Sequence, residues 1–275
     1  MAYGWLVPLE PATSVGELPP VKSSPPDRSA PSLDEARAAA AGGAGKRAYV
    51  REMFGEIAPS YDLLNHLLSA NIDRGWRRKA IAELDWPRRP EGRYVDLCAG
   101  TLDVAVQLAA TTGFRGQVIA ADFAEPMLRA GDRKRQGQPI SPVVADALDL
   151  PLADNSAAGA IVAFGVRNLA DLDAGLREVH RVLEPGARFV ILELSRPRSA
   201  VVRGGYQLYF QHLLPFVGRL VSGHRSAYSY LPDSVAHFPT GDALAARLRD
   251  AGFATVRWRP LTFGIAAIHT AIKSA

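Results

Sequence analysis

The chain has 275 residues, 48% hydrophobic and 22% charged, with a net charge of +4. This suits one large globular domain with a sizeable core, while a lone cysteine, Cys98, rules out a disulfide framework and fits a reducing, cytoplasmic compartment. No apolar run approaches the roughly 20 residues of a membrane span, no secretory leader is evident, and the six histidines show no metal-ligand spacing.

Residues 1–45 contain seven of the twenty prolines and an alanine-glycine tract, and read as a disordered arm in which "LDEARAAAA" receives no fold assignment. Three basic against five acidic residues there leave an excess of +6 on residues 46–275. That mild bias reads first as a solvated basic surface and is compatible with an anionic ligand or an anionic membrane surface. Without a Lys/Arg run interleaved with aromatics, nucleic acid is not expected as a partner.

From Lys46, apolar residues at three- and four-residue spacings, among them Phe54, Ile57, Leu64 and Trp76, predict three short helices punctuated by Pro59 and the Asn71–Asp73 stretch. Residues 46–85 thus form a helical lid. Strand and helix signals then alternate. "RYVDL", "QVIAAD", "PVVAD", "GAIVAFG" and "RFVILEL" read as strands. "DVAVQLAATT", "EPMLRAGDRKR" and "DLDAGLREVHRVLEPG" read as helices, the last ending at Pro185-Gly186. Residues 201–239 form an aromatic insertion, followed by a helix in "TGDALAARLRDAGF" and two closing strands in "ATVRWRPLTFGIAAIHTAI". The alternation predicts an α/β fold with a parallel sheet covered by helices on both faces.

In such sheets ligands bind beyond the carboxyl ends of the strands. Three of these ends carry acids: Asp96 in "DLCAGTLD", Asp122 at 26 residues' distance, and Asp146-Ala147 in "VVADAL". An acid ending the second strand can accept both ribose hydroxyls of a nucleoside, and the third end can meet an adenine edge. An aspartate at such a place also caps helices, which is the preferred reading for Asp149 and Asp171. With one glycine of the G-x-G-x-x-G pattern, the loop disfavours a dinucleotide.

"YDLLNHLLSANIDRGW" (61–76) and "RVLEPGARFVILELS" (181–195) resemble the two signatures of the ubiquinone/menaquinone biosynthesis C-methyltransferase family, with Glu184 and Ala187 where Lys and Gly are usual. "AFGVRNLAD", "AYSYLPDSVAHFP" and "LTFGIAAIHT" are similar to further family segments. The resemblance covers roughly 48–273. It implies a class I S-adenosylmethionine-dependent methyltransferase with a Rossmann-like, seven-stranded, mostly parallel sheet. The expected acceptor is a polyprenylated quinol, with demethylmenaquinol placed before the ubiquinone precursor. By the family pattern, Asp96, Gly100 and Thr101 lie against the methionine end of the cofactor, Asp122 at the ribose and Asp146-Ala147 at the adenine. A non-catalytic cofactor-binding scaffold and a methyltransferase for another small aromatic acceptor are the competing readings.

Methylation at carbon needs an aligned ring nucleophile and a dry pocket. Arg167 and Asn168 are the candidates for the quinol hydroxyl, against a purely structural pairing of Arg167 with a carboxylate. Phe164, Tyr206, Tyr209, Phe210, Tyr228 and Phe263 are the candidate walls. Tyr61 and Asp62 are candidates to close over the cofactor as part of the helical lid, with stapling of a helix to the core the equal alternative for Tyr61. Trp76, His269 and Cys98 are expected to be packing residues. The pattern over 201–221 suits a peripheral bilayer contact, a buried helix or a homodimer contact alike.

Leu102 stands where the resembling family has glycine or sometimes alanine. Acceptance of alanine implies a backbone outside the left-handed region and leaves only side-chain volume at issue. Cofactor binding is expected to survive, and Leu102→Gly to tighten it.

Overall fold

A computed structural model describes residues 32–42, 45–62, 71–197, 199–208 and 225–275. Its elements, in chain order, begin with helices α1 (Leu33–Ala41), α2 (Lys46–Ile57) and α3 (Ile72–Glu83). The alternating part follows: β1 (Arg93–Leu97), α4 (Asp103–Ala109), β2 (Gln117–Asp122), α5 (Glu125–Gly131), β3 (Ile140–Val144), β4 (Ala157–Ala163), α6 (Leu172–Val182) and β5 (Leu183–Leu194). Helices α7 (Ala200–Leu208), α8 (Arg225–His237) and α9 (Gly241–Asp250) precede strands β6 (Phe253–Leu261) and β7 (Ala266–Lys273).

The strands form one seven-stranded sheet in the order β3-β2-β1-β4-β5-β7-β6. β1 pairs in parallel with both β2 and β4, and β7 runs antiparallel between β5 and β6. The seven-stranded, mostly parallel sheet expected from the resemblance is therefore present.

Two apolar layers cover the sheet, and β5 feeds both. Phe189 and Ile191 pack with Leu176, Val179, Leu244 and Leu248 from α6 and α9. Val190 and Leu192 pack on the opposite side with Trp76, Ile81, Val104 and Leu108 from α3 and α4. Successive strand residues point to opposite faces, so a strand buried on both faces must be apolar throughout, as "FVIL" (189–192) is.

Three expectations need correction. The arm is not structureless throughout: Ser32 and Glu35 form a reciprocal capping box, and α1 buries Ala36, Ala39 and Ala40 against α2 and Tyr230 of α8. The alanine tract folds because methyl-sized side chains at helical spacing fit a tight helix contact. Helix α6 ends at Val182 instead of Pro185-Gly186. Leu183 is already extended at φ −71°, ψ 139°, and Pro185 disfavours a helical residue before it. Asp171 does cap α6, accepting from Ala174 N at 2.9 Å, but Asp149 pairs through its main chain with Asp146 and precedes no helix. Of the candidate walls, Tyr209 and Phe210 lie outside the described residues, as do the side chains of Tyr206 and Tyr228.

Candidate functional site

The strand order reverses at β1, so the crevice opens where the carboxyl ends of β2, β1 and β4 lie side by side. Cys98, Asp122, Phe123, Asp146, Ala147 and Asn168 line one cleft there, with Arg47 at its rim. Of the predicted residues, Asp122, Asp146, Ala147 and Asn168 are thus brought together, while Asp96, Gly100, Thr101 and Arg167 are not part of this lining.

The loop after β1 is held by side chains from below. Asp96 is 1% exposed and accepts from Ala105 N at 3.0 Å, in the first turn of α4. Burial pushes its carboxyl up to about 8, against the pull of that bond and of Arg77. Asp122 accepts from Gly100 N and from Ala124 N, one bond per oxygen, each at 2.8 Å. Burial raises its pKa as well. The main chain of Phe123 also bonds to this carboxylate, and of its roughly four lone-pair sites some capacity remains for a donor in the cleft. Gly100 is left-handed at φ 53°, and a Cβ there would come 3.3 Å from Met127 Cε and 3.9 Å from Tyr61 Cε1.

The helical lid reaches this loop directly. Asp62 accepts from the Thr101 hydroxyl, and Lys134 ties Asp62 to Asp103 and Thr101, lying 2.6 Å from Asp103 Oδ1 and 3.2 Å from Thr101 Oγ1. Tyr61 packs edge-on to Phe54, with ring centroids 5.9 Å apart. Asp62 thus contacts the loop, and Tyr61 packs on the helix bearing Phe54. Arg77 continues the network to Asp73 and to Asp103 Oδ2, with its guanidinium 5.7 Å from the centre of the Phe164 ring.

At Leu102 the expected backbone is overturned. Its φ is 69°, in the left-handed region, and its side chain is fully buried with Val104, Ala105 and Leu108. Its Cγ lies 2.7 Å from where a Cβ on Gly131 would sit. Both backbone geometry and volume are at issue, and the side chain turns into the core beneath α5. Cys98 is also left-handed at φ 53°, and its thiol is pushed well up by burial and by the surrounding carboxylates. Such a group is a poor nucleophile, in keeping with a packing role.

Beyond β4, Phe164 is left-handed at φ 63° and leads into a tight turn, Val166–Asn168. Asn168 accepts from the Tyr230 hydroxyl at 3.1 Å. Arg167 turns to Glu193 on β5: Nη1 donates to Oε1 at 2.8 Å and the main-chain N to Oε2 at 3.3 Å. The pair is buried, with side chains 8% and 2% exposed. Burial opposes the guanidinium charge, but Glu193 prevails and raises its pKa. Arg167 Nε is buried with no hydrogen-bond partner among the described residues. Two consecutive basic residues at the start of α2 complete the rim. Lys46 Nζ donates to Arg167 O at 2.8 Å, and Arg47 pairs with Asp146 Oδ2 at 2.7 Å. Cations are disfavoured at a helix N-terminus, so tertiary contacts hold them there.

Glu193, Lys46, Arg47 and Lys134 were not singled out from the sequence. Glu193 had a signal: a carboxylate inside the apolar run "RFVILEL" must find a partner once buried. The others are surface-type residues whose partners lie far away along the chain. Trp76 is a packing residue, buried against Phe164 and donating to Thr262 Oγ1 at 2.8 Å. His269 is likewise in the core, with Nε2 2.9 Å from Gly241 O and the ring stacked on Trp258. Phe263 is 81% exposed at φ 57°. Among the described residues no helix is long and apolar enough to cross a membrane, and no cluster of His, Cys, Asp or Glu could hold a metal.

The sheet order and the acids at successive strand ends define a class I S-adenosylmethionine-dependent methyltransferase. Solved structures share the fold. A putative methyltransferase in complex with the Haloferax volcanii Trm112 methyltransferase activator aligns with a TM-score of 0.58 at 17% identity, over 81% of this chain and 98% of that one. A Thermotoga maritima S-adenosylmethionine-dependent methyltransferase aligns with a TM-score of 0.55 at 18% identity, over 81% and 99%. The chain belongs to the ubiE/COQ5 methyltransferase family, whose model matches residues 43–273. It is 47% identical over 219 residues to the demethylmenaquinone methyltransferase of Thermus thermophilus, covering 79% of this chain and 98% of that one. The Deinococcus radiodurans protein of the same name is 45% identical over 228 residues, 82% of this chain and 92% of the relative. The ubiquinone/menaquinone biosynthesis C-methyltransferase of Geotalea daltonii is 42% identical over 228 residues, 82% and 96%.

Proposed function

We propose that the chain methylates a ring carbon of a polyprenylated hydroquinone, demethylmenaquinol before the ubiquinone precursor, with S-adenosylmethionine as donor. The carrying observation is the single cleft shared by Asp122, Asp146 and Asn168, which joins the nucleoside-facing acids to the turn bearing Arg167. The relatives' names support the substrate class, and two of the three above carry the menaquinone name alone.

The residues fit the cofactor. Asp122 retains acceptor capacity for a ribose hydroxyl, and the mixed polar and apolar lining around Asp146 and Ala147 suits a nucleoside base. Asp96, Gly100 and Thr101 would hold its methionine end. When bound, the cofactor supplies an electrophilic methyl group on a sulfonium. The protein's task is to align the ring carbon and favour loss of the hydroquinone proton. Arg167 stays charged and cannot act as a base, but its unpartnered buried Nε is a donor suited to a phenolate or an ordered water. Asn168 orients the same hydroxyl. Transfer from a sulfonium to a phenolate annihilates charge, which the buried surroundings favour. The enzyme works in the cytoplasm beside the membrane that holds its substrate, with residues 201–239 at the acceptor entrance; residues 209–224 lie outside those described.

Purified protein incubated with S-adenosylmethionine and demethylmenaquinol should yield the methylated quinol by mass analysis. Asn168→Ala should lower kcat while leaving cofactor affinity intact. Cofactor binding with no methylated product would refute the proposal and favour a scaffold.

A further inference from the structure

Helix α1 ends at Ala41, before the family match begins at residue 43, so it lies outside the part of the chain that the family model matches. Yet α1 is built as a docked element. Its capping box fixes its start, and Ala36, Ala39 and Ala40 are 0–4% exposed. Spacings of three and four residues put these alanines on one helix face. They share one apolar cluster with Tyr49, Val50 and Met53 of α2 and Tyr230 of α8.

Tyr230 links that cluster to the site. It is 1% exposed, its ring lies 5.5 Å from that of Tyr49, and its hydroxyl donates to Asn168 Oδ1 at 3.1 Å. A carboxamide can flip, exchanging donor and acceptor. Here Oδ1 takes the Tyr230 hydroxyl while Nδ2 donates to Phe164 O at 3.5 Å, and the two contacts together fix the amide's orientation at the cleft wall. We propose that α1 is a positioning element for the methyl-transfer site, seating Tyr230 so that it holds Asn168 in one orientation. This rests on the reading of Asn168 as an acceptor-side group.

The test uses full-length protein with Ala39→Glu, which places a charge in the α1–α8 contact, alongside Tyr230→Phe, the combined variant and Asn168→Ala. Each is assayed for kcat and KM with demethylmenaquinol and for cofactor affinity by calorimetry. Ala39→Glu and Tyr230→Phe should each lower kcat about 2- to 10-fold, the loss of one neutral hydrogen bond, with cofactor affinity unchanged. The combined variant should lose no more than either alone, because both remove the same link. Ala39→Ser should retain wild-type kcat. Full kcat in Ala39→Glu or in Tyr230→Phe, or losses that multiply in the combined variant, would overturn the proposal. An unchanged kcat in Asn168→Ala would instead overturn the reading of Asn168 on which it rests.

Discussion

At Leu102 the usual order of alanine and glycine should invert. Replacing the fully buried Leu102 with alanine removes most of a core side chain from beneath α5 and keeps a Cβ at φ 69°. The cavity costs about 2–5 kcal/mol, with the left-handed strain undiminished. Leu102→Gly deletes one further methyl, about 0.8 kcal/mol, but recovers about 1–2 kcal/mol of that strain. Leu102→Gly should therefore be more stable than Leu102→Ala by up to about 1 kcal/mol, and both less stable than the wild type. Inside an ordinary helix glycine would be worse than alanine by about 1 kcal/mol. Urea unfolding of the three proteins, with slopes checked for equality, measures the order. A higher midpoint for alanine than for glycine would refute the account of the backbone. Because the side chain leaves the cleft, cofactor affinity should not rise in Leu102→Gly; tighter binding would show that the leucine obstructs the site.

Asp96 titrates near pH 8 in the folded chain and near 4 when unfolded, so the folded state holds the extra proton between those values. Wild-type stability should fall as pH rises from about 4 to about 8 and then level off; Asp96→Asn should lack that fall, melt higher at pH 8 and bind cofactor more weakly, whereas parallel melting curves would contradict this. Glu193→Ala strands the buried Arg167 charge and should cost about 3–5 kcal/mol in urea unfolding, with a loss below about 1 kcal/mol counting against a tight pair. Phe263→Gly removes a strained, exposed side chain and should raise stability by about 1 kcal/mol, so a lower melting temperature would show that the phenyl ring is packed against something.

The fold was legible wherever periodicity and strand ends carried it. Asp122 and Asp146 follow successive apolar runs, and sheet topology brings them to one crevice, whereas Asp96 turns beneath the loop to Ala105 N. The partners of those residues were not legible. Glu193 meets Arg167 across 26 positions and Lys46 meets its carbonyl across 121, separations at which no local pattern exists. Leu102 was misjudged because acceptance of alanine was read as evidence about φ. A packed side chain can hold a residue left-handed despite its Cβ. The alanine tract was misjudged because composition speaks of a segment in isolation, and α1 owes its order to the surface of α2 and α8.

The placement of β7 between β5 and β6 constrains the order of assembly. As the chain is synthesised, β6 emerges with no neighbour to pair with, and β5 keeps an open edge until residues 266–273 arrive to join them. The end of the sheet bearing Asp122 and Asp146 can form from β1 to β4 early, whereas the strand carrying Glu193 gains its second neighbour only at the end. A growing chain would therefore acquire the crevice beyond β1 and β2 before the Val166–Asn168 turn is braced, and an exposed β5 edge is the point at which it would be most open to mispairing.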